Sequence, residues 1–156
     1  MSQQQTLAEL EQRIGQEIHL SEWIDITQER INAFAEATGD HQWIHVDPAR
    51  AMRLSPYRAT IAHGYLTLSL YPALRGLVAA DQPVFPGVKQ VINYGLDKLR
   101  FPSAVRAGSR VRAHCTLLKV AEVPGGLQVT EQFSVEIEGQ PKPACVAAAI
   151  MRLYFE

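Results

Sequence analysis

Residues 61–80, IAHGYLTLSLYPALRGLVAA, form a long and mostly apolar run, and no fold is acceptable that leaves it uncovered. A membrane span needs about 20 such residues. Here His63 and Arg75 would lie in hydrocarbon and Pro72 would interrupt the helix, so a membrane partner is disfavoured. From roughly Gly64 to Ala79 apolar side chains go nearly all the way round a helical wheel, which predicts a long helix enclosed by the rest of the chain. The second half can supply the enclosure. From Val88 onward the pattern has period two: Leu127, Val129, Phe133, Val135 and Ile137 alternate with Gln128, Thr130, Gln132, Ser134 and Glu136. With reversals at VPGG (123–126) and EGQPKP (138–143), strands are predicted at 88–101, 109–123, 126–138 and 143–155, and Glu17–Ile26 as a fifth. Cys145–Tyr154 is apolar on both faces and belongs in the sheet interior. These elements predict an α+β fold: an antiparallel sheet of about five strands wrapped around a long buried central helix. The second face of such a sheet and its two edges invite another copy, so a homodimer is expected.

At 156 residues the chain is expected to be a single domain, with its core between about residues 10 and 155. Hydrophobic residues make up 47% and charged residues 20%, the balance of a globular protein rather than a disordered one. Fifteen Lys and Arg against sixteen Asp and Glu leave a net charge of −1, without the basic excess that nucleic-acid binding needs. Cys115 and Cys145 form no CxxC pair, so they read as small core residues in a reducing cytoplasm. MSQQQTLAELEQR lacks the basic and apolar regions of a secretory signal, which disfavours export.

In the first half, residues 6–14 predict a short amphipathic helix through Leu7, Leu10 and Ile14. Thr27 reads as the N-cap of a helix carrying Ile31, Phe34 and Ala35, which stops at Thr38-Gly39. GDHQWIHVDP then reads as irregular or extended, followed by a helix over 48–54 with Pro48 in its first turn and turn chemistry at 55–60.

Of five histidines, His19, His41, His45, His63 and His114, His45 has the most suggestive setting. It follows Asp40 by five residues, in a segment anchored between two helices. A carboxylate and an imidazole that share a water can move protons near neutral pH, which suffices to add or remove water. A structural reading also stands: Gly-Asp as a turn, Asp47 as an N-cap, and His45 bonded to a backbone carbonyl. Asp40, His41, His45 and Asp47 could be counted as metal ligands, but Gly39, Trp43 and Pro48 argue against one continuous helix face, and no metal is expected. His63-Gly64 opens the apolar helix. Its unpaired N–H could hold an oxyanion, or Gly64 could serve close packing while His63 caps the helix.

FAEATGDHQWIHVDPARA (34–51) and SPYRATIAHGYLTLSL (55–70) together resemble the MaoC-like dehydratases, the (R)-specific enoyl-CoA hydratases of the hot-dog fold. The family pattern Gly-Asp-x-Asn-Pro-Leu/Ile-His, Asp-Pro and His-Gly is matched by Gly39-Asp40-His41-Gln42-Trp43-Ile44-His45, Asp47-Pro48 and His63-Gly64. NYGLDKLRFPSAVRAGSRVR (93–112) resembles the family's following strand, loop and turn. Gln42-Trp43 replaces Asn-Pro, a version similar to nodulation protein N and to mycobacterial 3-hydroxyacyl-thioester dehydratases. The resemblance implies a lyase of fatty-acid metabolism that adds water reversibly to a trans-2-enoyl thioester, giving the (R)-3-hydroxyacyl thioester without a cofactor. It implies that Asp40 and His45 are the catalytic pair and that Gly64, with His63 and Tyr65 beside it, meets the substrate. It also implies CoA binding, or an acyl-carrier protein in its place, with Tyr94, Gly95, Lys98 and Arg100 as candidate contacts. The acyl chain would run past Tyr65 and Leu68. Two further readings are an acyl-CoA thioesterase and a non-catalytic dimeric acyl-thioester binding module. The first is disfavoured because 64–80 carries no carboxylate before Asp81.

Overall fold

A computed structural model describes all residues, Met1–Glu156. Its sheet has six strands, all paired antiparallel: β1 (Glu17–Leu20), β2 (Ile24–Asp25), β3 (Val88–Arg100), β4 (Arg110–Val123), β5 (Gly126–Ile137) and β6 (Cys145–Phe155). The order is β1-β4-β5-β6-β3, with β2 beside β1 on the edge of β4. The four long strands fall where the alternation predicts them, and β6 is interior. The fifth predicted strand is split. Ser21 is the cause: its N–H bonds Ala113 O while its own Oγ accepts the Ala113 N–H, so a side chain takes over the ladder at that point. Pairing resumes at Ile24↔Val111 with one more residue on this side than on β4, as in a bulge.

Six helices complete the chain: α1 (Gln3–Glu11), α2 (Gln28–Thr38), α3 (Trp43–Val46), α4 (Pro48–Leu54), α5 (Gly64–Ser69) and α6 (Tyr71–Arg75). α1 begins earlier than the apolar spacing suggests because Ser2 and Gln5 form a reciprocal capping box, and Ile14 falls outside it on the surface. α2 is capped by Thr27 Oγ1 and stopped by Gly39 at φ +80°, as read from the sequence. α3, a single turn, is the element that the extended reading of 39–48 misses.

The long central helix is divided in two and ends early. Pro72 has no N–H for the Leu68 carbonyl, Leu70 drifts to ψ −6°, and Gly76 at φ +81° closes α6, so residues 77–80 are not helical. Enclosure is also one-sided. Leu66, Leu70, Tyr71 and Leu74 face the sheet, while Tyr65, Ser69 and Ala73 form an exposed stripe. The sheet's inner face is built from odd-numbered positions: Val111 to Leu117, Leu127 to Ile137 and Cys145 to Leu153. All of these but Glu131 and Ala147 belong to a core of 24 buried hydrophobic residues. Ala147 and Ala149 on β6 pair with Phe133 and Glu131, and these small side chains leave room for Tyr71, whose ring meets Phe133 edge-on at 4.8 Å. The thiols of Cys115 and Cys145 are free and buried; burial pushes them up to about 12 and about 11. No helix is long and apolar enough to cross a membrane.

One polar cluster lies inside this core. Arg75 holds both Glu131 oxygens at 2.9 to 3.1 Å, and Tyr71 Oη donates to Oε2 at 2.7 Å. Burial and the Glu131 carboxylate together push the Tyr71 phenol far up, so it stays a donor. Arg75→Met, which leaves Glu131 unpaired, is expected to lower unfolding free energy in urea by about 3–5 kcal/mol. Arg75→Met with Glu131→Leu is expected to recover most of that loss.

Candidate active site

The site is built around an extended segment, Thr60–Ala62, that leads into α5. On one side it is tied to 105–107: Ala107 N donates to Thr60 O and Ala62 N to Val105 O. On the other it meets α3, where Ile61 N donates to Ile44 O at 3.0 Å. The Ile61 carbonyl points at His45 Nδ1, 2.7 Å away. A carbonyl only accepts, so His45 carries its proton on Nδ1 and presents a bare lone pair at Nε2. That lone pair faces Asp40 Oδ2 at 3.9 Å, beyond hydrogen-bond length and short enough for one water to donate to both.

The two side chains differ in environment. His45 is 7% exposed and Asp40 41%. Burial is the main reason that His45 titrates below the ordinary histidine value, helped by His63 and opposed by the Ile61 carbonyl and the Asp40 charge. Asp40 is held below the ordinary carboxyl value chiefly by the Gln42 amide. Gln42 Nε2 and N donate to Oδ1 at 3.1 and 3.3 Å, which leaves Oδ2 as the oxygen that faces His45. At neutral pH the pair is therefore a neutral acceptor opposite a carboxylate.

Further residues hold this pair in place. Gln28 donates to His45 O at 2.7 Å and accepts from Thr60 Oγ1, bracing α3 against the 60–62 segment. No spacing rule points to Gln28 or Thr60, which are 32 residues apart. His63 does not cap α5: it stacks on His45 with ring centroids 3.8 Å apart and reaches Asp40 O at 2.9 Å. Gly64 opens α5, so its N–H has no intrahelical acceptor. A Cβ there would come within 3.1 Å of the Phe101 ring, so close packing and a free N–H coexist at this glycine.

Asp40, His45 and His63 offer three possible metal-ligand atoms within 4.8 Å of one another. The two imidazoles are nearly parallel, at 24°, so a cation in the plane of one ring lies out of the plane of the other, which is poor ligation geometry. His41 instead pairs with Glu36 at 3.6 Å, and Asp47 caps α4 through Arg50 N.

The other sequence-derived candidates lie apart from this cluster. Tyr65 is on the surface, edge-on to Phe101 at 6.1 Å. Tyr94, Gly95, Lys98 and Arg100 are on β3, the outer strand, and none bonds to Asp40, His45 or His63. Tyr94 lies under the Arg152 guanidinium, and Lys98 sits at φ +53° in a bulge between Asp97 and Arg100. Gly95 lines an apolar cleft of about 320 Å³ with Leu68, Pro72, Leu96 and Ile150.

A curled antiparallel sheet over a central helical segment, with an Asp–His pair at the approach to that segment, defines a hot-dog protein equipped for proton transfer. The chain belongs to the MaoC-like domain family, whose model matches residues 9–136. It is 49% identical over 149 residues to 3-hydroxyacyl-thioester dehydratase Z of Mycobacterium tuberculosis, covering 95% of each chain. It is 43% identical over 152 residues to nodulation protein N of Rhizobium leguminosarum bv. viciae, covering 97% of this chain and 92% of that one. Among solved structures it is similar to the (R)-hydratase from A. caviae involved in PHA biosynthesis. That match has a TM-score of 0.72 and 26% identity over 90% of this chain and 96% of the other.

His45 and His114 are expected to titrate on opposite sides of the ordinary value of about 6.5 in an NMR titration. His114 is raised, first by its hydrogen bond to Glu136, and so stabilises the fold below about pH 6.5, an effect lost as pH rises through its folded value. His45 is depressed. The unfolded chain takes up that proton first, so its contribution is lost as pH falls below about 6.5.

Proposed function

We propose that this chain is an (R)-specific enoyl-thioester hydratase/dehydratase. The observation that carries the reading is the neutral Nε2 of His45 facing the Asp40 carboxylate at 3.9 Å, with the Gly64 N–H nearby in the chain. The names of the relatives, a 3-hydroxyacyl-thioester dehydratase and an (R)-hydratase, support the same chemistry. A water donating to His45 Nε2 and Asp40 Oδ2 is held with its oxygen free for C3 of the enoyl thioester. As the C3–O bond forms, a water proton passes to the pair. The double-bond electrons move onto the thioester oxygen, where the Gly64 N–H meets the developing charge. The pair then returns a proton to C2. One H and one OH are added, and Asp40 and His45 end as they began, titrating as a coupled unit. Dehydration is the reverse.

Hydrolysis has less support. The carboxylate nearest the central helices, Glu131, comes from the sheet, is fully buried and has both oxygens taken by Arg75 and Tyr71.

The proposed carrier is CoA, with Lys98 and Arg100 near its phosphates, Tyr94 and Gly95 beside the pantetheine, and the acyl chain passing Tyr65 toward the cleft at Leu68. We place residues 1–156 in one domain, on the single large core, and its setting in the cytoplasm, on the two free thiols. A homodimer is proposed because β3 exposes Ile92, Tyr94 and Leu96 on an outer strand while α5 and α6 expose Tyr65, Ser69 and Ala73. Apolar surface of this kind marks an interface. Sedimentation at micromolar concentration is expected to give twice the chain mass; a monomer there would count against the dimer.

Crotonyl-CoA is the test substrate, followed by enoyl absorbance and by free thiol together. Loss of absorbance without thiol is expected; thiol release would mean hydrolysis, and tight binding with neither change a binding module. Asp40→Asn and His45→Gln are each expected to lower kcat by about 10²–10⁴-fold. Asp40→Asn should leave stability nearly unchanged, whereas His45→Gln strands the Ile61 carbonyl and should cost about 1–3 kcal/mol. Since His45 must be unprotonated to accept from water, the acid limb of kcat is expected below about pH 6.5.

A further inference from the structure

We infer that His63 is a positioning residue that holds both members of the Asp40–His45 pair, one through its edge and the other through its face. The inference rests on the hydratase reading for its meaning in turnover and on geometry alone for the contacts.

His63 is 3% exposed. Its Nε2 lies 2.9 Å from the main-chain carbonyl of Asp40, so Nε2 must be the protonated nitrogen. The other, Nδ1, is then a buried acceptor, and it has no partner. A phenylalanine would fill the same slot between Phe34, 4.9 Å away, and His45 without stranding an acceptor. What imidazole adds is a donor on its edge in the same plane as a flat face. The donor matters because Asp40 follows Gly39, which is left-handed, and the Asp40 N–H has only a long 3.5 Å contact to Thr38 Oγ1. The 2.9 Å bond from His63 is thus the firm tie on the Asp40 backbone. The face matters because His45 is otherwise fixed only at Nδ1, about which its ring could rock. The titratable groups facing His45 are Asp40 and His63, and the His63 ring stacked at 3.8 Å also shields one face of the imidazole from water.

Two variants separate the functions. His63→Phe keeps the face and loses the donor; His63→Gln keeps a donor and loses the face. With crotonyl-CoA, each is expected to lower kcat about tenfold to a hundredfold with KM changed less than about threefold. Each should also move the acid limb of kcat to higher pH, His63→Phe by removing the electrostatic push of His63 against protonation of His45 and His63→Gln by that and by admitting water to the ring. A merely structural residue would lower Tm and leave kcat and the acid limb of the folded enzyme where they were. Folded variants with kcat within twofold of the parent and an unmoved acid limb would overturn the inference. If neither variant folds, ¹⁵N spectra of the unsubstituted protein decide: His63 protonated at Nε2 and His45 at Nδ1 are expected, and His63 protonated at Nδ1 overturns it. If the parent shows no hydratase activity, the functional reading fails. The positioning role is then read from the His45 titration midpoint, which must still move in both variants for the inference to stand.

Discussion

The site depends on the three residues that precede the central helices. Thr60–Ala62 is bonded on both sides, to the 105–107 segment ahead of β4 on one and to α3 on the other. Through it the position of the His45 ring is referred to the segment that leads into β4 rather than to a free loop. The Ile61 carbonyl fixes which nitrogen of His45 carries the proton, the Ile61 N–H fixes α3, and the chain then turns at once into His63 and Gly64. Four contributors to one site thus share a few consecutive peptide units, and an error in any of them would be small compared with the reach of a side chain.

Two groups of charges lie near the central helices, and they are treated in opposite ways. Around Glu131 every oxygen has a partner and water is excluded, so the cluster is inert and its value is to fix the packing of α6 on the sheet. Around Asp40 and His45 one oxygen and one nitrogen face each other at a distance that only a third molecule can bridge. Satisfaction of hydrogen bonds marks the first as structure. Its deliberate incompleteness marks the second as a place for chemistry.

Much of this is legible in the sequence, and what is not follows a pattern. Thr27, Gly39 and Pro48 act through the backbone within a turn or two, so the bounds of α2 and α4 could be read directly. The Ser2–Gln5 box was equally local and is visible as S-x-x-Q, but the apolar spacing of Leu7 and Leu10 drew the helix too far along. Pro72 argues against a membrane span, and its missing N–H also divides the helix. Glu131 had a plain signal: it stands at an odd position among Leu127, Val129, Phe133 and Val135, so it had to point inward and find a cation. Asp40 and His45 were recoverable because one short segment carries both. The bracing of His45 by Gln28 and of Asp40 by His63 was not, since those contacts join residues far apart in sequence, through surfaces that only folding creates.

The orientation of His45 has a consequence for how charge would be carried through the proposed reaction. Where a carboxylate orients a catalytic imidazole, it also shelters the cation that forms when the ring takes a proton. Here the orienting partner is a peptide carbonyl, a dipole with no charge to give. The counter-charge for an imidazolium is on the opposite side, at Asp40, across the space proposed for the reacting water. The protonated ring is therefore stabilised toward the substrate rather than away from it, and the proton it has taken is held on the face from which it must be handed back.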